Sequence, residues 1–166
     1  MQPVATYDTG DDILVSFQVI PQKQVILGVD LSHVYVYTYT QPHTNDRNIG
    51  RWSFHREFVD DIEANKFPYA NLKTLAVRCD KPADDSMVFC ISTDAPRLVL
   101  YVLANGGGKW SCQRVHTFTS IQHKESITAL AFSRSEARLL ASGDGYGTVC
   151  LWSLSPHTIS SAVSNS

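Results

Sequence analysis

Charge is scarce in this chain, and neither sign dominates. Asp, Glu, Lys and Arg make up 18% of the 166 residues, with 14 basic side chains against 16 acidic ones and a formal charge of −2. A protein that grips nucleic acid unaided usually carries a basic excess. None is present, so any role on RNA has to be shared with a partner. With 43% apolar residues the chain is rich enough to bury a core, which excludes a disordered segment. Long apolar runs are missing too: none reaches the ~20 residues of a membrane-spanning helix. Met1-Gln2-Pro3-Val4 lacks the basic and apolar regions of a secretory signal, and no Asn-x-Ser/Thr acceptor occurs. The four cysteines, Cys79, Cys90, Cys112 and Cys150, fit no zinc-ligand spacing. They read as reduced, buried thiols of a nuclear or cytoplasmic protein.

Catalytic signatures are equally sparse. Gly106-Gly107-Gly108-Lys109 has the glycines of a phosphate cradle but is followed by Trp110 and a strand-like run. A P-loop needs Gly-x-x-x-x-Gly-Lys-Ser/Thr opening a helix, so a hairpin turn is expected instead. The six histidines are scattered, with no i, i+4 pair beside a Glu. Asp60-Asp61 and Asp84-Asp85 read as solvated loop charge. Ser16, Ser142 and Ser153 lie in no Gly-x-Ser-x-Gly elbow. Nothing assembles a nucleophile, a base and an orienting group. The expectation is a binding protein with no catalytic residue, no cofactor and no metal.

What is abundant is period-two alternation. Val34-Tyr35-Val36-Tyr37-Thr38-Tyr39, Leu98-Val99-Leu100-Tyr101-Val102 and Thr148-Val149-Cys150-Leu151-Trp152 are β-branched and aromatic, the side chains that pack well on a pleated surface. The segment from Gly28 to Tyr37 aligns without a gap on that from Ser92 to Tyr101. The segment from Ser142 to Trp152 aligns with one extra residue. Each reads as strand, Asp (Asp30, Asp94, Asp144), tight turn, strand and closing aromatic, with the carboxylate bonding N–H groups of the turn. An apolar strand precedes each unit, and a Trp-bearing strand follows the first two: Arg51-Trp52-Ser53-Phe54 and Lys109-Trp110-Ser111-Cys112. Four strands repeated at this period predict an all-β, partial β-propeller of about three four-stranded antiparallel blades, spanning 12–58, 72–119 and 126–163. Arg51, Arg56, Lys109 and Arg114 sit on the outermost strands. They are expected on one face of that strand, as edge charge or as a contact for an acidic protein or an RNA backbone.

The third unit resembles a WD repeat: His123-Lys124-Glu125-Ser126-Ile127-Thr128-Ala129-Leu130-Ala131-Phe132, then Leu139-Leu140-Ala141-Ser142-Gly143-Asp144, then Gly147-Thr148-Val149-Cys150-Leu151-Trp152. The resemblance implies a hydrogen-bonded tetrad of His, Ser/Thr, Asp and Trp that stiffens the blade. His123, Ser142 and Trp152 match three of its positions. Tyr146 stands where the tetrad Asp is expected, with Asp144 placed in the turn. The stretch from Cys90 to His157 is similar to the non-catalytic WD-repeat subunit of tRNA (guanine-N(7)-)methyltransferase. The matching residues are Thr93-Asp94, Arg97-Leu98-Val99-Leu100-Tyr101, Trp110-Ser111-Cys112, Thr128-Ala129-Leu130-Ala131-Phe132, Asp144 and Ser153-Leu154-Ser155-Pro156-His157. That resemblance implies a supporting subunit that binds and stabilises a catalytic methyltransferase and meets tRNA only within the complex, without a membrane. Gly145 stands in the turn where the subfamily has a basic contact.

Three blades fall short of the four to eight that close a propeller. The expected chain is therefore the N-terminal part of a longer propeller, a truncated product, or a unit that self-associates through open blade edges. Pro3-Val4-Ala5-Thr6-Tyr7 would be a strand completing a distant blade. Val15, Phe17, Leu130 and Phe132 are expected to lose protection at the open ends, leaving the isolated chain aggregation-prone or oligomeric.

Overall fold

Alternating apolar runs need two partners: neighbouring strands for their backbone groups and another layer for their side chains. A computed structural model describes residues 13–40, 53–61, 72–78, 86–119, 122–133 and 138–154. Arg51, Trp52, Cys79, Asp84-Asp85, the Pro3–Tyr7 run and residues 155–166 fall outside them.

The described runs form three antiparallel sheets. The first joins β1 (Ser16–Ile20), β2 (Val25–Val29), β3 (His33–Thr40) and β4 (Ser53–Asp61) in chain order. The second joins β5 (Leu72–Arg78), β6 (Ser86–Thr93), β7 (Arg97–Gly106) and β8 (Lys109–Thr119) in the same way. The third holds β9 (Ile127–Phe132), β10 (Leu139–Asp144) and β11 (Val149–Ser153), three strands among the described residues. Tight turns set the register. Gly107 and Gly108 adopt φ of 63° and 84° in the β7–β8 hairpin, a left-handed conformation that suits glycine. The Gly-rich segment is thus a hairpin turn between strands, with the Gly108 N–H donating to the Asn105 side chain (2.9 Å).

The sheets stack as propeller blades, with β5 between β1 and β9. The middle blade is covered on both faces. Met87, Phe89, Ile91, Val99, Tyr101 and Leu103 turn toward blade 1 and meet Val25, Leu27, Val29, Val34 and Val36. The alternate residues Val88, Cys90, Leu98, Leu100 and Val102 turn toward blade 3 and meet Ile127, Leu140 and Leu154. Burial on both faces explains why β6 and β7 read as unbroken apolar runs. Hydrogen bonds tie the layers together. The Val77 N–H donates to Gln18 Oε1 (2.8 Å) and the Leu72 N–H to the Leu31 carbonyl (2.9 Å) between blades 1 and 2. The Ser92 hydroxyl donates to the Ile127 carbonyl and the Ser126 hydroxyl to the Asp94 carbonyl, both 2.7 Å, between blades 2 and 3.

Among the described residues the three blades do not close into a ring. Val15 and Phe17 are exposed on blade 1, Phe17 by 63%. Leu130 and Phe132, by contrast, pack against blade 2. A register shift at Gly143/Asp144 lets Ile127 and Leu130 share the face toward blade 2. The open face of blade 3 instead carries Ala129, Ala131, Val149 (76% exposed) and Leu151 (69%).

Candidate functional site

In blade 3, period two decides which side chains meet. Leu140, Ser142 and Asp144 are alternate residues of β10, so all three point to the face that packs on blade 2. Trp152, opposite Leu140 on β11, shares that face. His123 enters from the segment before β9. The Trp152 indole N–H donates to Ser142 Oγ (2.7 Å), and the Ser142 hydroxyl donates to His123 Nε2 (2.7 Å). His123 Nδ1–H donates to Asp144 Oδ2 (3.1 Å). Asp144 can only accept, which fixes the Nδ1–H tautomer and leaves Nε2 as acceptor for a neutral imidazole. The Tyr146 and Thr148 N–H groups donate to Asp144 Oδ1 (3.0 and 2.9 Å), and the Lys124 N–H to Oδ2 (3.3 Å).

Asp144 therefore holds the place expected for Tyr146. Tyr146 is 72% exposed and contributes only its backbone N–H. Counting along the motif misses this, whereas alternation from Ser142 finds it: two residues on, the side chain returns to the same face. Burial alone would raise the Asp144 carboxyl. The hydrogen bonds from Thr148, His123, Lys124 and Tyr146 outweigh it and bring the group from an ordinary 3.8 down to about 2. Above the unfolded value the whole stabilisation is present. It is lost as pH falls through 3.8 toward 2, because the unfolded chain takes up its proton first. Thermal melts between pH 5 and pH 2 are expected to show a steep acid loss in the native chain and a shallower one in Asp144→Asn.

Ser142, His123 and Asp144 contact one another in the order of a hydrolase triad. Their surroundings differ from those of a nucleophile. Ser142 is 2% exposed and His123 3%, and the Ser142 oxygen already accepts from Trp152. Phe118 of β8 packs on Trp152 at 5.6 Å between ring centroids. The array is turned inward and braces blade 3 against blade 2.

Blade 1 uses its aspartate in a related way. Asp30 Oδ1 accepts the Ser32 and His33 N–H groups (2.7 and 2.6 Å), and Oδ2 accepts the Tyr35 hydroxyl (2.6 Å). Burial raises this carboxyl, but the bonds from Tyr35, Ser32 and His33 prevail and lower it. Ser32 Oγ and Asp30 Oδ2 both approach His33 Nδ1, at 3.0 and 3.1 Å. A proton relay needs them on opposite ring nitrogens.

Blade 2 departs from the expected register. Tyr37 lies opposite Ile26, Tyr101 opposite Phe89 and Trp152 opposite Leu140. Four residues on from Ile26 and Leu140 stand Asp30 and Asp144; four on from Phe89 stands Thr93. The gapless alignment of the first two units is thus off by one residue. Asp94 sits in the corresponding turn, one place late. It pairs with Lys73 of β5 (3.0 Å), and its carbonyl holds Ser126.

Arg56, Lys109 and Arg114 are exposed on β4 and β8, and Arg51 lies outside the described residues. The expected common face does not form on β8. Lys109 lies opposite Gly106 and Arg114 opposite Tyr101 in unbroken register. Five residues of alternation put them on opposite sides of the sheet. Gly145 is exposed in the β10–β11 turn. Among the described residues no group of three or more His, Cys, Asp or Glu could hold a metal ion. Burial pushes the Cys90 thiol up, so it remains protonated and inert.

Three stacked antiparallel blades, with a bonded Trp–Ser–His–Asp network in one of them, define a β-propeller-like fold. No family model matches the chain, and no curated protein matches it. Among solved structures, Semaphorin 2a from Drosophila is similar, with a TM-score of 0.45 and 10% identity over 75% of this chain and 30% of that one. The chain spans less than a third of that protein's length.

Proposed function

We propose that this chain is a non-catalytic WD-repeat scaffold whose exposed surfaces hold other proteins in an assembly. One observation carries the reading: the Ser142–His123–Asp144 array is buried and its serine oxygen is occupied by Trp152. Its polar groups are spent on bracing a blade. An active-site serine probe such as a fluorophosphonate is expected to leave the native chain unmodified; a stoichiometric adduct on Ser142 would overturn the reading.

A finer reading rests on the residues from Cys90 to His157 that resemble the WD-repeat subunit of tRNA (guanine-N(7)-)methyltransferase. In it the chain binds and stabilises a catalytic methyltransferase in the nucleus or cytoplasm, and meets tRNA only through that complex. The near-balanced charge supports a shared rather than a solitary hold on RNA. Co-expression with the catalytic subunit of the same organism tests it. Co-purification and a gain in 7-methylguanosine are expected. Absence of both, with other proteins recovered in an unbiased pull-down, leaves the general scaffold.

A further inference from the structure

We propose that Asn105 is a site of spontaneous covalent modification: the Gly106 nitrogen closes on its side chain, ammonia leaves, and water opens the ring to aspartyl and isoaspartyl products. The proposal stands apart from the scaffold reading and does not depend on it.

Ring closure on an asparagine is governed by the residue that follows it. A side chain there crowds the approaching nitrogen, whereas glycine has no Cβ to do so. The chain has six asparagines, Asn45, Asn48, Asn65, Asn71, Asn105 and Asn165, and only Asn105 precedes a glycine.

The fold puts that pair at the tip of a hairpin. β7 and β8 stay in register out to Gly106 opposite Lys109. Gly107 and Gly108 make the turn with both φ angles positive, the pattern of a two-residue hairpin loop. A Cβ built at Gly106, Gly107 or Gly108 would meet nothing within 4 Å, so no packing pins the tip to the blade. Gly106 to Lys109 are exposed. Beyond the ladder, the tip is held by the Gly108 N–H bond to Asn105 Oδ1, which is itself exposed. The ladder keeps Asn105 and Gly106 extended, and the attack needs the tip to open first. Segments with exposed hydrogen bonds and few apolar contacts open at small free-energy cost, far below that of unfolding the core.

In the opened tip, hydroxide removes the proton from the Gly106 nitrogen. That nitrogen attacks Asn105 Cγ. The new C–N bond closes a cyclic imide as the Cγ–Nδ2 bond breaks, and the departing nitrogen takes a proton from water and leaves as ammonia. Water then adds to one of the two imide carbonyls. Cleavage at the side-chain carbonyl gives an aspartyl residue. Cleavage at the backbone carbonyl gives an isoaspartyl link, with the chain running through Cβ and Cγ. The net exchange is OH for NH2, with no change of oxidation state.

The isoaspartyl product adds one backbone carbon just before Gly106. The Asn105–Trp110 and Gly106–Lys109 pairs then no longer share one spacing, and the end of the ladder is lost. Trp110 packs partly buried against the core between blades 1 and 2, so the lesion reaches that core through β8.

Peptide mapping by mass spectrometry, on the folded chain incubated in neutral and mildly alkaline buffer, tests the proposal. The mass change of OH for NH2 is expected first at Asn105, in two chromatographically distinct products, at a rate that rises with hydroxide. Gly106→Ala has room for its Cβ and is expected to slow the conversion severalfold while circular dichroism stays native. Should that variant fail to fold, Asn105→Gln keeps an amide but disfavours ring closure, and is expected to abolish the change at this position. The converted native chain should exchange the backbone N–H of Trp110 faster than the fresh one. An Asn105 that stays intact in the folded chain while a urea-unfolded chain converts, an earlier mass change at another asparagine, or an equal rate in Gly106→Ala would each overturn the proposal.

Discussion

Replacing Phe89 by alanine is expected to destabilise the chain by about 3–5 kcal/mol. Phe89 is fully buried in the middle blade and stacks on Tyr101, with centroids 5.2 Å apart and planes 12° from parallel. It faces blade 1, so its removal opens a cavity in the larger of the two inter-blade cores. A typical domain is stable by only about 5–15 kcal/mol, so the substitution consumes a large share of the total. Tyr146→Ala removes a ring that is mostly in water while keeping the backbone N–H that Asp144 uses. Its cost is expected to stay within about 0.5 kcal/mol. Urea unfolding of the two variants checks the order. Equal midpoints would mean that the stacking of blades 1 and 2 is not the source of stability.

Ser142→Ala is expected to cost about 2–5 kcal/mol through a different mechanism. The hydroxyl accepts from Trp152 and donates to His123, so its loss leaves two groups at a buried site without a partner. Each unsatisfied group costs about 1–3 kcal/mol. Ser142→Thr keeps the oxygen and adds one methyl group, so it should recover most of the loss. Denaturant titration followed by tryptophan fluorescence separates the two variants. If alanine and threonine behave alike, the hydroxyl is not the hub of the network.

Much of the architecture is legible in the residue pattern, and the reasons are local. Strands β3, β7 and β11 show in their β-branched and aromatic runs, and the Asp-containing turns mark where the second strand of each blade gives way to the third. What escaped was register. In blade 2, residues 87–91 of β6 are apolar at every position because both faces of that sheet are covered. A run without alternation cannot reveal a one-residue shift, so Asp94 aligned with Asp30 while Thr93 took the equivalent place. In blade 1 the alternation from Val34 to Tyr39 hides a difference of another kind. Valines 34 and 36 meet blade 2, whereas Tyr35, Tyr37 and Tyr39 are buried on the far side. The basic residues were misplaced by parity: Lys109 and Arg114 share a strand but not a face. The tetrad was three-quarters visible as a motif. Its fourth member became apparent only once strand β10 fixed which residues share Ser142's side.

The central claim is that Trp152, Ser142, His123 and Asp144 form one closed, internally satisfied network that braces blade 3. The most direct measurement is hydrogen exchange of the tryptophan indole N–H groups by NMR. The chain has three tryptophans, Trp52, Trp110 and Trp152, and the Trp152 signal is assigned by its loss in Trp152→Phe. That signal is expected to persist in D₂O in the native chain, because its hydrogen bond ends on a buried oxygen. It should exchange rapidly in Ser142→Ala. A Trp152 indole that exchanges at once in the native chain, or one whose protection is unchanged by removing Ser142, would contradict the network and the scaffold reading built on it.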